Sequence, residues 1–89
     1  MNAVSLIGTL AADPQLQENR ASVPECRMTL AVPRRSRDGR RYPGVVYIDV
    51  TTFGDEAHEC AALSVGATVG LAGRLSDEGG VLIDQLDLL

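Results

Sequence analysis

The feature that most limits the possible folds is an alternation of large apolar residues with mostly polar ones in two segments of the chain. In VVYIDVTTF, residues 45–53, the side chains of Val46, Ile48 and Val50 fall on one side and those between them on the other. The segment 22–33 ends in the same period of two. This period is typical of β-strands that bury one face of a sheet. The alternation therefore predicts a sheet with one buried and one exposed face.

Five strands and one short helix are predicted along the chain. The predicted strands are residues 2–10, 22–33, 45–53, 67–75 and 81–89, and the predicted helix is residues 55–66. Ala12-Asp13-Pro14 and SDEGG have the composition of turns, and the glycines within strands indicate bends or bulges. A helix between the third and fourth strands is typical of the OB-fold, whereas an SH3-like barrel or an open meander usually lacks a helix there. We therefore predict one all-β domain over residues 1–89, a five-stranded OB-fold barrel with a short helix between strands 3 and 4.

The charge of the chain is unevenly distributed. The formal net charge is −4, yet all eight basic residues are arginine and five of them fall within eight positions. These five are Arg34, Arg35, Arg37, Arg40 and Arg41. The guanidinium group forms forked hydrogen bonds with phosphate and stacks on bases. A chain this acidic overall does not have the surface of a DNA-coating protein, but the loop 34–44 has the charge to hold a phosphate backbone.

Aromatic residues follow directly after this arginine-rich loop. The exposed side of the strand 45–53 is predicted to carry Tyr47, Thr51 and Phe53. Aromatic rings on a sheet beside a basic loop are the groups that bind single-stranded nucleic acid by stacking and backbone contact. Simpler interpretations stay open, because the loop could be solvated or paired with acids of a neighbouring subunit, and the rings could be packed in the barrel. Asp49, on the same face, would repel phosphate.

Motifs for catalysis or metal binding are weak. His58 is the only histidine, and Cys26 and Cys60 do not form the CxxC spacing of a zinc site. The chain has no Ser-His-Asp arrangement and no phosphate-binding glycine loop. We therefore predict no enzymatic activity, no cofactor and no metal, with both cysteines as free thiols. The chain shows no signal peptide and no run of about 20 apolar residues, so we expect a cytoplasmic protein with no membrane partner.

Five segments of the chain, in order, resemble the DNA-binding domain of the bacterial single-stranded DNA-binding protein (SSB) family. They are MNAVSLIGTLAADPQL, MTLAVPRRSRDG, VYIDVTTFG, DEAHECAALSVG and VGLAGRL. The resemblance implies an OB-fold that binds single-stranded DNA without sequence preference, in replication, recombination or repair at the nucleoid. It also implies a homo-oligomer, a tetramer or a dimer, that associates through the first strand.

Several positions depart from the pattern of that family. Tyr47 and Phe53 match two of its base-stacking positions, but Ser36 stands where many members have a third aromatic residue, and the hairpin SDEGG lacks the fourth. Asp49 occupies a position that is basic in some relatives. The chain ends at Leu89, before the acidic-tipped tail of the family, so no tail-mediated recruitment of replication proteins is expected. These departures predict a short, specialised paralogue whose DNA affinity is low and falls steeply with salt.

Ten residues are predicted to contact DNA. They are Arg34, Arg35, Arg37, Arg40, Arg41, Tyr42, Tyr47, Thr51, Phe53 and Arg74. The alternative function is that of a primosome-type OB-fold accessory protein, whose main role is protein–protein interaction and whose binding of single-stranded DNA is weak.

Overall fold

A computed structural model describes residues 1–34 and 44–89. The described residues form six strands and one helix. They are β1 (Val4–Leu10), β2 (Gln15–Glu18), β3 (Pro24–Pro33), β4 (Val45–Phe53), α1 (Asp55–Ala61), β5 (Thr68–Leu75) and β6 (Val81–Leu88). The predicted turns between β1 and β2 and between β5 and β6 are confirmed.

Five of the strands close into a barrel. Their order is β1-β5-β6-β4-β3, and β1 returns to pair with β3, which completes the ring. All of these pairs are antiparallel except β4 with β6. At Thr9, strand β1 pairs with Thr68 of β5 and also with Ala31 of β3, so one short strand closes the ring on both sides. The predicted five-stranded OB-fold with its helix between the third and fourth barrel strands is confirmed.

Strand β2 is an addition to the predicted element order. Its four residues are all exposed, and it pairs with β3 alone, outside the closed ring. The turn into β3 is held by Asn19, whose side-chain oxygen accepts hydrogen bonds from the backbone N–H of Ala21 and Val23 at 2.9 and 3.0 Å. Only Leu16 in β2 is apolar, so this edge strand lacks the alternation by which the other strands were recognised.

The inward side chains of the strands and one side of the helix form a single core. The largest fully buried apolar side chains are Leu30, Val50 and Val69. Ala57 and Cys60 on α1 are also fully buried, which places the helix over the core of the barrel. The helix ends at Ala61 instead of continuing to residue 66 as predicted, because the chain turns back there toward β1. In that turn the backbone N–H of Gly66 donates to the carbonyl oxygen of Leu10 at 2.9 Å.

Two glycines stand where strand backbones approach closely. A Cβ on Gly8 would lie 2.5 Å from the carbonyl oxygen of Ala31, at the seam between β1 and β3. A Cβ on Gly73 would overlap the carbonyl oxygen of Leu82. The β5–β6 register also shifts here, between Ala72 and Gly73, and leaves Asp84 as an extra residue on β6. The bend predicted at the β5 glycines therefore coincides with a β-bulge on β6, which lies opposite Gly73, a position where only glycine fits.

Both cysteines are buried free thiols, as predicted. Burial raises the pKa of the Cys60 thiol to about 12 and also raises the pKa of Cys26 above its ordinary value. A protonated, buried thiol is a poor nucleophile and a poor metal ligand, so these side chains act as small apolar groups in the core. Within the described residues, no helix has the length and apolar character needed to cross a membrane.

Candidate nucleic-acid interface

Half of the residues predicted to contact DNA lie outside the described part of the chain. They are Arg35, Arg37, Arg40, Arg41 and Tyr42. Arg34, directly after β3, is exposed, and its backbone N–H donates to the carbonyl oxygen of Gly44 at 3.3 Å. The two ends of the arginine-rich loop therefore meet at the end of the β3–β4 hairpin.

Strand β4 presents two aromatic rings on its outer face. Tyr47 is 66% exposed and Phe53 is 42% exposed. Such exposure argues against the interpretation that both rings belong to the packed core. Tyr47 is the more exposed ring because β6 pairs with β4 only near Val50 and Thr51, so the strand extends beyond the barrel at Tyr47. Six residues along a strand separate the two rings by roughly 20 Å.

A groove of about 400 Å³ crosses the outer surface beside β4. Its floor is formed by β3, β4 and β6, and includes Thr51, Phe53 and Leu82. The β1–β2 turn forms one wall, and the β5–β6 turn forms the other. Thr51 and Phe53 are thus brought together in one groove, whereas Tyr47 lies beyond its end, nearer to the arginine-rich loop.

A row of side chains crosses the barrel at the level of Thr51. In this row each residue lies directly opposite the next on neighbouring strands, and the order is Gln15, Arg27, Thr51, Leu82 and Arg74. The two arginines are three strand spacings apart, which is roughly 14 Å. A strand of nucleic acid that crossed the sheet along this row would meet a positive charge on each side of the groove.

Both of these arginines are already paired with carboxylates. The Nε of Arg27 lies 3.4 Å from Glu25, which is nearly buried and also accepts a 2.7 Å hydrogen bond from Gln17. Arg74 contacts Asp84, the extra residue of the β-bulge, at 3.1 Å. The Arg74–Asp84 pair is exposed on both sides and contributes little to stability, so a phosphate could replace Asp84 at small cost. Glu25 is buried, so loss of Arg27 from it would leave a buried carboxylate and cost more, but the Arg27 side chain is 60% exposed and can offer its other N–H groups while its Nε stays on Glu25. Both ion pairs nevertheless reduce the free positive charge of the face.

Asp49 lies between the two rings on the outer face of β4. Its carboxylate accepts a hydrogen bond from the hydroxyl of Thr29, the residue directly opposite on β3, at 3.2 Å. This contact orients the carboxylate and leaves it exposed to solvent. The structure thus confirms the prediction that the negative charge of Asp49 lies on the same face as Tyr47 and Phe53.

Arg27 is the one basic residue among the described residues that line the groove, and the sequence prediction omits it as a possible DNA contact. The alternation in residues 22–33 places Arg27 on the exposed side of its strand, so the signal was present. Its place beside Thr51 depended on the β3–β4 register, which the sequence did not specify. In the described ranges, no group of three or more His, Cys, Asp or Glu side chains could hold a metal ion.

Comparison with known proteins agrees with this geometry. Residues 1–79 match the single-strand binding protein family. The chain is 33% identical over 81 residues to the single-stranded DNA-binding protein of Deinococcus radiodurans, an alignment that covers 89% of this chain and 27% of that protein.

Solved structures show the same fold. The wild-type single-stranded DNA binding protein of Thermus aquaticus superposes with a TM-score of 0.83 at 25% identity, over 100% of this chain and 40% of that one. The protein PriB of Ralstonia solanacearum superposes with a TM-score of 0.82 at 18% identity, over 100% and 99%, a likeness of fold alone. The chain spans less than half the length of the Deinococcus and Thermus proteins. Because the family match extends over most of its residues, the chain belongs to the single-strand binding protein family.

Proposed function

We propose that this protein binds single-stranded DNA without catalysing a reaction, and that it does so where strands are exposed in replication, recombination or repair. The observation that carries the proposal is the pair of exposed rings, Tyr47 and Phe53, on the outer face of β4 in a member of this family. Stacking on such rings tolerates every base, since every base has a π-face. Its place of action would be the nucleoid in the cytoplasm.

The arginine-rich loop and the transverse row have complementary roles in this proposal. Bases stack on the rings, while the loop arginines contact phosphates beyond Tyr47. Arg74 contacts a phosphate on one side of the groove after leaving Asp84, and Arg27 contacts one on the other side through the N–H groups that Glu25 does not hold. With two stacking rings and several arginines, a large share of the affinity comes from charge.

A titration with an oligo-dT of about 20 nucleotides, followed by fluorescence anisotropy at several salt concentrations, tests this function. Each phosphate contact to a single strand contributes about −0.7 to the slope of log K against log salt. Three to five arginine contacts therefore predict a slope of roughly −2 to −3.5, or a loss of about 20- to 100-fold between about 50 and 200 mM salt. Absence of binding at the lowest salt concentration would contradict the proposal.

The proposal includes self-association through β1. In the described residues, β1 pairs with β5 over Val4–Thr9 but with β3 only at Thr9 and Leu10. One edge of the strand before Thr9 therefore offers unpaired backbone groups, and Ile7 beside it is 62% exposed. A depression of about 840 Å³ borders Ile7 on the outer face. A second copy could pair along this edge and cover Ile7.

The mass in solution, measured by light scattering with and without the oligo-dT, tests self-association. We expect the mass of a dimer or a tetramer in both samples, because an interface through β1 leaves the outer face of β4 open to DNA. A monomer at micromolar concentration in both samples would contradict this part of the proposal and leave DNA binding untouched.

A second candidate function is that of an accessory protein whose main partner is another protein. The paired state of Arg27 and Arg74 and the charge of Asp49 favour it, since all three weaken attraction for phosphate. If this second function is correct, we expect weak DNA binding that does not depend on Tyr47 and Phe53.

A further inference from the structure

The outer face of β4 carries a carboxylate where a single-stranded DNA surface would be expected to carry neutral or positive groups. Asp49 is two residues from Tyr47 and four from Phe53, on the same side of the strand. Those spacings correspond to roughly 7 Å and 13 Å along β4. A base stacked on Tyr47 is therefore near enough for its edge to reach Asp49, whereas Phe53 provides a second stacking site farther along the strand.

The carboxylate is held in place for such a contact. One oxygen of Asp49 accepts the hydrogen bond from Thr29 at 3.2 Å, which fixes the group on the exposed surface. Among residues 1–34 and 44–89, no arginine lies within ion-pair distance of it. The oriented carboxylate can therefore accept hydrogen bonds from a ligand.

The groove beside Asp49 is also better suited to bases than to phosphates. Three further carboxylates line it, and the one arginine among its described lining residues is Arg27, which Glu25 already holds. These three are the side chains of Asp13, Glu25 and Glu78. A phosphate in the groove would be repelled. A base edge that carries N–H groups would meet acceptors.

The bases differ in what they offer to a carboxylate. Cytosine and adenine each present an exocyclic amino group, and guanine presents a ring N–H beside its amino group, which together match the two oxygens of one carboxylate. Thymine has no amino group and presents only its single ring N–H. Hydrogen bonds to an ionised acceptor are stronger than those between neutral groups, so this difference affects binding.

We propose that Asp49 gives this surface a preference for bases that carry amino groups, with guanine favoured most and thymine least. The inference rests on the proposed DNA-binding function and deepens it, because stacking alone would treat the bases nearly alike. Asp49 then has two opposite effects. It lowers the affinity for every DNA strand by repelling phosphate, and it restores part of that affinity when the amino group of a base donates a hydrogen bond to its carboxylate.

The test compares three oligonucleotides of about 20 nucleotides at near-neutral pH. They are oligo-dT, oligo-dC, and an oligo-dT in which every third base is guanine. Wild-type protein and the Asp49→Asn variant are titrated with each by fluorescence anisotropy. The quantity compared is the ratio of the dissociation constant for oligo-dT to that for each of the other strands, so that intrinsic differences in stacking cancel between the two proteins.

The ratio is expected to be larger for the wild type than for Asp49→Asn, by about threefold to tenfold for cytosine and by more for the guanine-containing strand. Asp49→Asn should also bind oligo-dT more tightly than the wild type, because a negative charge has gone. Asp77→Asn is the matched control. It removes the same charge from the β5–β6 turn, outside the residues that line the groove, and should leave both ratios unchanged.

Two outcomes would overturn the inference while leaving DNA binding intact. One is equal ratios for the wild type and Asp49→Asn. The other is a fall of the ratios in Asp77→Asn as large as that in Asp49→Asn, because the preference would then depend on net charge and not on the position of Asp49. If the wild type binds none of the three oligonucleotides, the proposed DNA-binding function itself fails. Circular dichroism of each protein verifies that the variants are folded.

Discussion

Replacement of Tyr47 and Phe53 together by alanine should reduce binding of oligo-dT to the level that charge alone supports. Each base stacked on an aromatic ring contributes about 1–3 kcal/mol, so the loss of both rings costs about 2–6 kcal/mol, or roughly 30-fold to more than 10⁴-fold in affinity. The barrel should remain stable, since both side chains lie on its outer face and are substantially exposed. Anisotropy titration at low salt measures the loss, and thermal unfolding measures stability.

The control for this variant is Val65→Ala. Val65 is an exposed apolar residue in the turn after α1, away from the groove, so its truncation should change neither affinity nor stability. The two single variants, Tyr47→Ala and Phe53→Ala, show how much of the loss of affinity comes from each ring. Tyr47→Ala should lose contact near the arginine-rich loop and Phe53→Ala contact in the groove. If the double variant binds like the wild type, the stacking mechanism is wrong and the accessory-protein function gains support.

Gly73→Ala should strongly destabilise the barrel. The new methyl group would overlap the carbonyl oxygen of Leu82, which belongs to the backbone of β6 and cannot move without breaking the β5–β6 ladder at its bulge. We expect a loss of roughly 3 kcal/mol, the upper end of the usual cost of overpacking. For a domain of this size that corresponds to a fall in Tm of roughly 12–24 °C.

Gly70→Ala is the matched control on the same strand. A Cβ there would meet only side-chain atoms of Leu89 and Ile7, at 3.6 and 3.9 Å, which are ordinary contact distances. The substitution also reduces the entropy of the unfolded chain, so its stability should equal or slightly exceed that of the wild type. Urea or thermal unfolding of both variants gives the comparison. Equal stability of the two variants would show that the backbones are not in close contact at Gly73.

The barrel could be predicted from the sequence because its strands bury one face and so must alternate. The bounds of β4 agree with the prediction at both ends, since its central residues alternate between the two faces and glycines flank the segment. Strand β2 could not be predicted, because all its side chains are exposed and its sequence, QLQE, therefore shows no buried apolar face. The end of α1 was placed too late, because residues 62–66 have helical composition but are needed for the return to β1.

The part of the candidate site that lies on a single strand, β4, could be predicted from the sequence. Tyr47, Thr51 and Phe53 could be assigned to the outer face from their spacing alone, and the structure confirms that orientation. The transverse row could not, because it depends on the register of four strand pairs, and one of them, β4 with β6, joins strands that are not consecutive in the chain. The ion pair of Arg74 with Asp84 was also hidden, since it requires the extra residue of a β-bulge.

The double pairing of β1 has a consequence for the order of events in folding. Strand β1 is joined to β5, with Val4 opposite Gly73, and to β3 as well. During synthesis, therefore, β1 lacks its longer partner until β5 has emerged, the ring cannot close until β6 has followed, and earlier strands must wait with part of their apolar faces uncovered. Pairings between such distant segments carry a large entropic cost of loop closure, which is why barrels of this kind fold in milliseconds to seconds. The pair that completes the ring is then β4 with β6, the one parallel pair among the barrel strands.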